Sequence, residues 1–243
     1  MQRFAFLVLM SVAASGTTAA GKELSAALRA AAPGADPVAV AQAVQAMQCA
    51  GQPDGNPVSR LVLIDYSRPS TAPRLWVFDL ATRTLSREER VAHGQGSGDN
   101  HATRFSNDPG SHQTSLGLFR TGDTYVGRNG YSLRLEGLDP GVNDRAMQRA
   151  IVMHGAPYVS EATVRQLGRL GRSWGCPAVR ADVARPLIDE IKGGQYLYAY
   201  HPTGLPAPGA SAARCASRGT ATATIPAAPM RRVIAPSPRV AGA

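Results

Sequence analysis

Lysine is almost missing from this 243-residue chain: Lys22 and Lys192 are the only two, so the formal charge of +9 is carried by arginine. A balance of that kind suits an anionic partner such as nucleic acid, lipid headgroups or an anionic wall polymer. No dense basic run with interleaved aromatics occurs, and aromatics make up only 6% of the residues. That argues against nucleic-acid binding. Beyond the first residues there is no apolar stretch of the ~20 residues needed to span a bilayer, so no stable membrane insertion is expected. Asp65, Asp79 and Glu136 form no recognisable acid pair. The run Gly94-Gln95-Gly96-Ser97-Gly98 is not a dinucleotide fingerprint, because its third glycine comes one position early.

The N-terminus has the parts of a secretory signal peptide. Arg3 precedes an apolar run from Phe4 to Ala14, and Thr18-Ala19-Ala20 is a small-x-small cleavage site. The expected division is a signal peptide over 1–20, a helical segment and linker over 21–58, a catalytic domain over 59–202, and a Pro/Ala-rich tail over 203–243, disordered from about 218. Export to the periplasm or cell envelope follows. Cysteine is scarce too: Cys49, Cys176 and Cys215. In an oxidising compartment cysteines tend to pair, and an odd one is a candidate reactive thiol. Cys49 and Cys215 flank the central region and are expected to pair, although three pairings are possible and the sequence does not choose among them.

Glycine and proline are plentiful, at 25 and 18 residues, so turns must occupy much of the chain. Residues 22–50 carry apolar positions at helical spacing, divided by Pro33-Gly34, and Asp36-Pro37 suits a second helix start. From Arg60 the pattern changes to short apolar runs such as Leu61-Val62-Leu63-Ile64 and Leu75-Trp76-Val77-Phe78, as in buried strands. Further strands are expected over 83–92, 115–120, 131–135, 150–154 and 195–200. Two helices interrupt them. One follows Ser160-Glu161 and ends at Gly171, and another starts near Arg185, with Pro186 in its first turn and Gly193-Gly194 as its stop. The fold class is mainly β with short helices, an α+β arrangement.

The chemistry concentrates in Val152-Met153-His154-Gly155 and Ser173-Trp174-Gly175-Cys176-Pro177. An apolar strand ending in His-Gly delivers an imidazole, and a glycine turn presents a thiol. N–H groups around Gly175 and Cys176 would form an oxyanion hole, and a nearby histidine would lower the thiol pKa. Taken singly, a cysteine is more often a small buried hydrophobe, and a histidine more often packs or hydrogen-bonds.

Together these motifs resemble the YkuD-like murein L,D-transpeptidases, whose signature is a histidine followed by a small residue and, after a spacer, Ser/Thr-His-Gly-Cys. His154-Gly155 and Ser173-Trp174-Gly175-Cys176 occupy those places. The runs 102–107 and 111–119 look like the branch called murein L,D-transpeptidase catalytic domain proteins, and the resemblance spans roughly residues 60–201. It implies a β-sandwich or barrel catalytic domain that acts without metal or cofactor on peptidoglycan stem peptides. Cys176 would be the nucleophile, His154 the base, and the Gly155 carbonyl the group orienting the imidazole. Ser173 would shape the site. The product is set by the acceptor: an amine gives transpeptidation, water gives L,D-carboxypeptidase activity.

Two positions depart from the signature. Trp174 replaces its second histidine, and an indole is neither acid nor base; walling a hydrophobic donor pocket or simple packing are its alternatives. Pro177-Ala178-Val179-Arg180 replaces the usual apolar-Arg pair. Arg180 is a candidate for a substrate carboxylate, with Arg172 as competitor, and His112 is a candidate lining the cleft. His93, His101 and His112 raise a second reading, a zinc-dependent wall peptidase, although their spacing matches no metal motif. A third is a non-catalytic peptidoglycan-binding module.

Overall fold

Asp36 starts a helix because its carboxylate satisfies two of the orphan N–H groups at the helix N-terminus. Oδ1 accepts from Val38 N at 2.6 Å and Ala39 N at 3.1 Å, with Pro37 at the first position. In this computed structural model, which describes residues 19–51 and 57–203, α1 (Ala19–Ala31) and α2 (Pro37–Ala50) form a helical pair broken where Pro33-Gly34 predicts. Most of the expected signal peptide and tail, and Cys215, lie outside the described residues.

Eight strands follow: β1 (Arg60–Asp65), β2 (Leu75–Asp79), β3 (Thr84–Glu89), β4 (Gly117–Gly127), β5 (Gly130–Gly137), β6 (Val152–Ala156), β7 (Ala178–Arg180) and β8 (Tyr196–Tyr200). They form one mixed sheet in the order β3-β2-β1-β8-β4-β5-β6-β7. The β1/β8 and β6/β7 pairs are parallel and the rest antiparallel. The sheet curls until its far ends meet, where Ala92 N donates to Ala178 O at 2.7 Å. The fold class is as expected, mainly β, with four α-helices among the described residues.

Alternate residues explain why β1, β2 and β8 read as continuous apolar runs. Leu61, Leu63, Trp76, Phe78, Tyr196 and Tyr198 pack with Leu28, Val40 and Val44 of the helical pair. Val62, Ile64, Val77 and Leu197 face the other way, into a core with Leu187, Ile188 and Cys176. A strand covered on both faces shows no polar alternation. At ~1.5–3 kcal/mol per fully buried large apolar side chain, both faces contribute to holding the sheet.

Three local expectations needed correction. The helix after Ser160, α3 (Glu161–Leu167), ends at Gly168 and not Gly171: Gly168 takes the left-handed conformation, φ 66°, and its N–H caps Val164 O. Gly171 is instead needed for space, since a Cβ there would lie 2.4 Å from Tyr158 Cβ. α4 (Ala181–Ile191) begins before Arg185 and holds Pro186 in its interior. The lost hydrogen bond is tolerated because Ala184, Leu187, Ile188 and Ile191 are all buried. The three-residue β7 was not expected at all; Ala178 and Val179 are too short a run to read as a strand.

Candidate active site

Strand pairing brings the histidine and the cysteine together. β6 carries His154, and β7 begins two residues after Cys176. The parallel register sets His154 opposite Ala178, and His154 N–H points at Pro177 O, 3.4 Å away. Cys176 is thereby laid against the start of β6. Its sulfur accepts from Val152 N at 3.5 Å and faces Ala150 O at 3.7 Å. One cavity of about 600 Å³ is lined by Cys176, His154, Gly155, Ser173 and Trp174 among others.

Gly155 supplies an acceptor to the imidazole: His154 Nδ1 lies 2.9 Å from Gly155 O. A carbonyl only accepts, so Nδ1 carries the proton and Nε2 keeps its lone pair. Burial holds the His154 pKa below the ordinary imidazole value, the Gly155 bond opposing it. A side chain at 155 would collide with α4, its Cβ 2.8 Å from Ala184 Cβ.

The thiol differs from the expectation. Burial raises the Cys176 pKa, opposed by the Val152 N–H and the nearby Arg149 charge, and the sulfur's hydrogen-bond partners are backbone groups, not the imidazole. Burial thus works against charge on both groups, the thiol and the imidazole. Cys176 is the free cysteine among the described residues, while Cys49 is disulfide-bonded.

Ser173 builds the turn. Its Oγ donates to Cys176 O at 2.6 Å and accepts from Gly175 N at 3.1 Å. Gly175 N–H is thus already engaged, which narrows the expected oxyanion hole to Cys176 N–H, without a partner among the described residues. Gly175 has φ 118°, and a Cβ there would lie 2.8 Å from Gln113 O, so only glycine fits. Trp174 remains 65% exposed, and His112 stacks on its indole, ring centroids 4.8 Å apart at 7°. His112 is not itself among the residues lining the cavity, which it meets only through Trp174. It and Ala150, which does line the cavity, are two of the three non-glycine residues with positive φ among the described residues, at 52° and 54°. Such backbone costs ~1–3 kcal/mol per residue and gathers at functional sites.

Arg180 is not brought to the cavity. Its guanidinium grips Glu89 at 3.0 and 3.2 Å and reaches Asp182 at 3.0 Å. The expectation fails because β7 turns this side chain toward β3. Arg172 does line the cavity.

The three loop histidines occupy separate surroundings. His93 is fully buried, its Nδ1 2.8 Å from Arg74 Nη2, whereas His101 is exposed. Among the described residues no group of three or more His, Cys, Asp or Glu side chains could hold a metal ion. Burial, with Arg74 next, depresses the His93 pKa to about 3. Below pH ~6.5 the unfolded chain binds a proton that the folded chain refuses, so stability falls as pH drops. The expected slope from this site is about 1.4 kcal/mol per pH unit from pH ~6.5 down to about 3. Urea unfolding at stepped pH should show a shallower slope in His93→Asn; an unchanged slope would refute the assignment.

Sequence reasoning missed Arg149. Its Nη1 donates to Ser106 O at 2.7 Å and Ser115 Oγ at 2.5 Å, and Nη2 to Gln113 O at 2.6 Å and Ser111 Oγ at 3.3 Å. One side chain ties the 106–115 loop to the surroundings of Cys176. Nothing local marks it, since all its partners lie more than thirty positions earlier. Tyr158 also lines the cavity, its phenol pushed up to about 12 by burial and the Cys176 charge.

The curled mixed sheet presents a cysteine and a histidine to one cavity from the paired ends of β6 and β7. Residues 31–200 match the L,D-transpeptidase catalytic domain family, and the chain belongs to that family. A comparison with curated proteins gives no match. Among solved structures, an L,D-transpeptidase from Mycobacterium smegmatis is 14% identical with TM-score 0.37, over 59% of each chain. The helical cell shape determining protein Pgp2 (K307A mutant) from Campylobacter jejuni is 14% identical with TM-score 0.41, over 65% of this chain and 52% of that one. L,D-transpeptidase 1 from Mycobacterium tuberculosis is 12% identical with TM-score 0.34, over 59% and 62%. The matched regions therefore span between half and two thirds of those proteins. Among the described residues no helix is long and apolar enough to cross a membrane.

Proposed function

We propose that this protein is an exported cysteine L,D-transpeptidase of peptidoglycan, with Cys176 as nucleophile and His154 as general base. The observation that carries the reading is the free thiol and an Nε2-basic imidazole lining one open cavity. Peptide bond cleavage follows from those groups. As the sulfur attacks the carbonyl carbon between the L-centre and the terminal D-residue of a tetrapeptide stem, its proton passes to His154 Nε2. The Cys176 N–H faces the developing oxyanion. Collapse breaks the C–N bond, and the proton on Nε2 goes to the departing amine, leaving a thioester on Cys176. An acceptor amine then attacks the thioester, gives its proton to Nε2, and the thiol is restored; water in that role yields carboxypeptidase activity. The Gly155 carbonyl keeps the imidazole in the productive tautomer throughout, and Ser173 holds the turn.

Export rests on the N-terminal pattern, and the same oxidising setting suits a Cys49–Cys215 pair. Defined tetrapeptide muropeptides incubated with the purified protein should lose the terminal D-amino acid and form either cross-linked dimers or tripeptides, read by mass spectrometry. Turnover is expected to be indifferent to a metal chelator. Unchanged muropeptides with a demonstrably reactive Cys176 would refute the proposal.

A further inference from the structure

The cavity holding Cys176 is lined by three arginines, Arg128, Arg149 and Arg172, and by no aspartate or glutamate. Two of those charges are already engaged. Arg149 spends both terminal nitrogens on the 106–115 loop, and Arg172 Nη1 donates to Gly98 O at 2.8 Å and Asp99 Oδ1 at 2.9 Å. Arg128 has no hydrogen-bond or ion-pair partner among the described residues. It sits with Asn129 at the tip of the β4–β5 hairpin, beyond the last paired residues, Gly127 and Gly130.

The hairpin beneath it is braced. Arg134 lies 4.5 Å over the Tyr125 ring, Arg185 lies 4.2 Å over the Tyr131 ring, and Tyr131 OH donates to Asp189 at 2.7 Å. A braced stem thus presents an uncompensated guanidinium to the cavity of the nucleophile. A planar fork of donors matches a carboxylate. A tetrapeptide stem cut next to its last residue always carries one, because the leaving D-residue is the C-terminus.

Resting on the transpeptidase reading, we propose that Arg128 is a specificity-determining residue that receives a carboxylate of the stem peptide and selects anionic donors. Arg180, the candidate suggested by the sequence pattern, is held by Glu89 and is not available for this role.

The test compares wild type and Arg128→Gln on one synthetic tetrapeptide stem in three forms: all carboxylates free, C-terminus amidated, and side-chain carboxylates amidated. The wild type should favour the free form over one of the two amidated forms by about tenfold in kcat/KM, mostly through KM. In Arg128→Gln that preference should collapse towards one, and the form that matters identifies the carboxylate. Arg128→Lys should restore part of it, and added salt should weaken it in the wild type. Equal use of all three forms by wild type, or an undiminished preference in Arg128→Gln, would overturn the assignment. The circular dichroism spectrum and urea midpoint check separately that each protein is folded, and alkylation by a neutral reagent checks that Cys176 is reactive. A wild type that alkylates normally yet turns over no stem in any form refutes the transpeptidase reading, and this inference falls with it.

Discussion

Cys176→Ala should reduce turnover of muropeptides by roughly 10⁴- to 10⁶-fold, the scale of removing a nucleophile that works as a unit with its base. The fold should survive. The sulfur's partners are a backbone N–H at 3.5 Å and a carbonyl at 3.7 Å, both long, and losing one sulfur from a site 8% exposed is expected to cost about 1 kcal/mol. The circular dichroism spectrum and unfolding midpoint should stay close to wild type while thioester formation disappears from intact-mass spectra. Retention of full activity would end the cysteine mechanism. The pH dependence carries the same claim further. Because burial raises the thiol pKa and lowers that of His154, catalysis should persist below the ordinary imidazole pKa of ~6.5, until Nε2 is protonated. Alkylation of the free protein, which needs thiolate, should instead rise only on the alkaline side.

Arg149→Met is expected to damage both stability and reactivity. Four donated hydrogen bonds are lost from one guanidinium, leaving Gln113 O without that partner, while Ser106 O keeps only Ser115 Oγ at 3.0 Å. A destabilisation of about 2–4 kcal/mol is expected from bonds to a charged group that is half-buried, visible as a lower urea midpoint. The Arg149 charge also favours the thiolate, so its removal should move the alkylation profile of Cys176 to higher pH. Arg149→Lys separates the two effects. A lysine returns the charge without the fork, so the profile should recover while the stability does not. An unmoved profile in Arg149→Met would show that this arginine acts on the loop alone.

Much of the site was legible because its chemistry is written in short motifs. His154-Gly155 and Ser173-Trp174-Gly175-Cys176 each constrain a few adjacent residues: a carbonyl for Nδ1, a hydroxyl bridging its own turn, a glycine at φ 118°. Such relations are local, so sequence spacing expresses them. The same holds for the Asp36 cap and the strands of β1, β2 and β8, whose runs record burial on both faces. What sequence order could not express were pairings between distant segments. Arg180 looked free until β7 set it against Glu89, His93 looked like a loop ligand until Arg74 closed over it, and Arg149 was unremarkable until the 106–115 loop folded around it.

Residue identity and near-neighbour spacing were enough to single out Cys176, His154 and Gly155 as candidates and to give the mainly β class, because each depends on backbone geometry within a few positions. The protonation state of the thiol–imidazole pair, the engaged Gly175 N–H and the choice of Arg128 over Arg180 as the available cation depend on burial and long-range charge. Those quantities exist only once the sheet has curled and β6 lies beside β7.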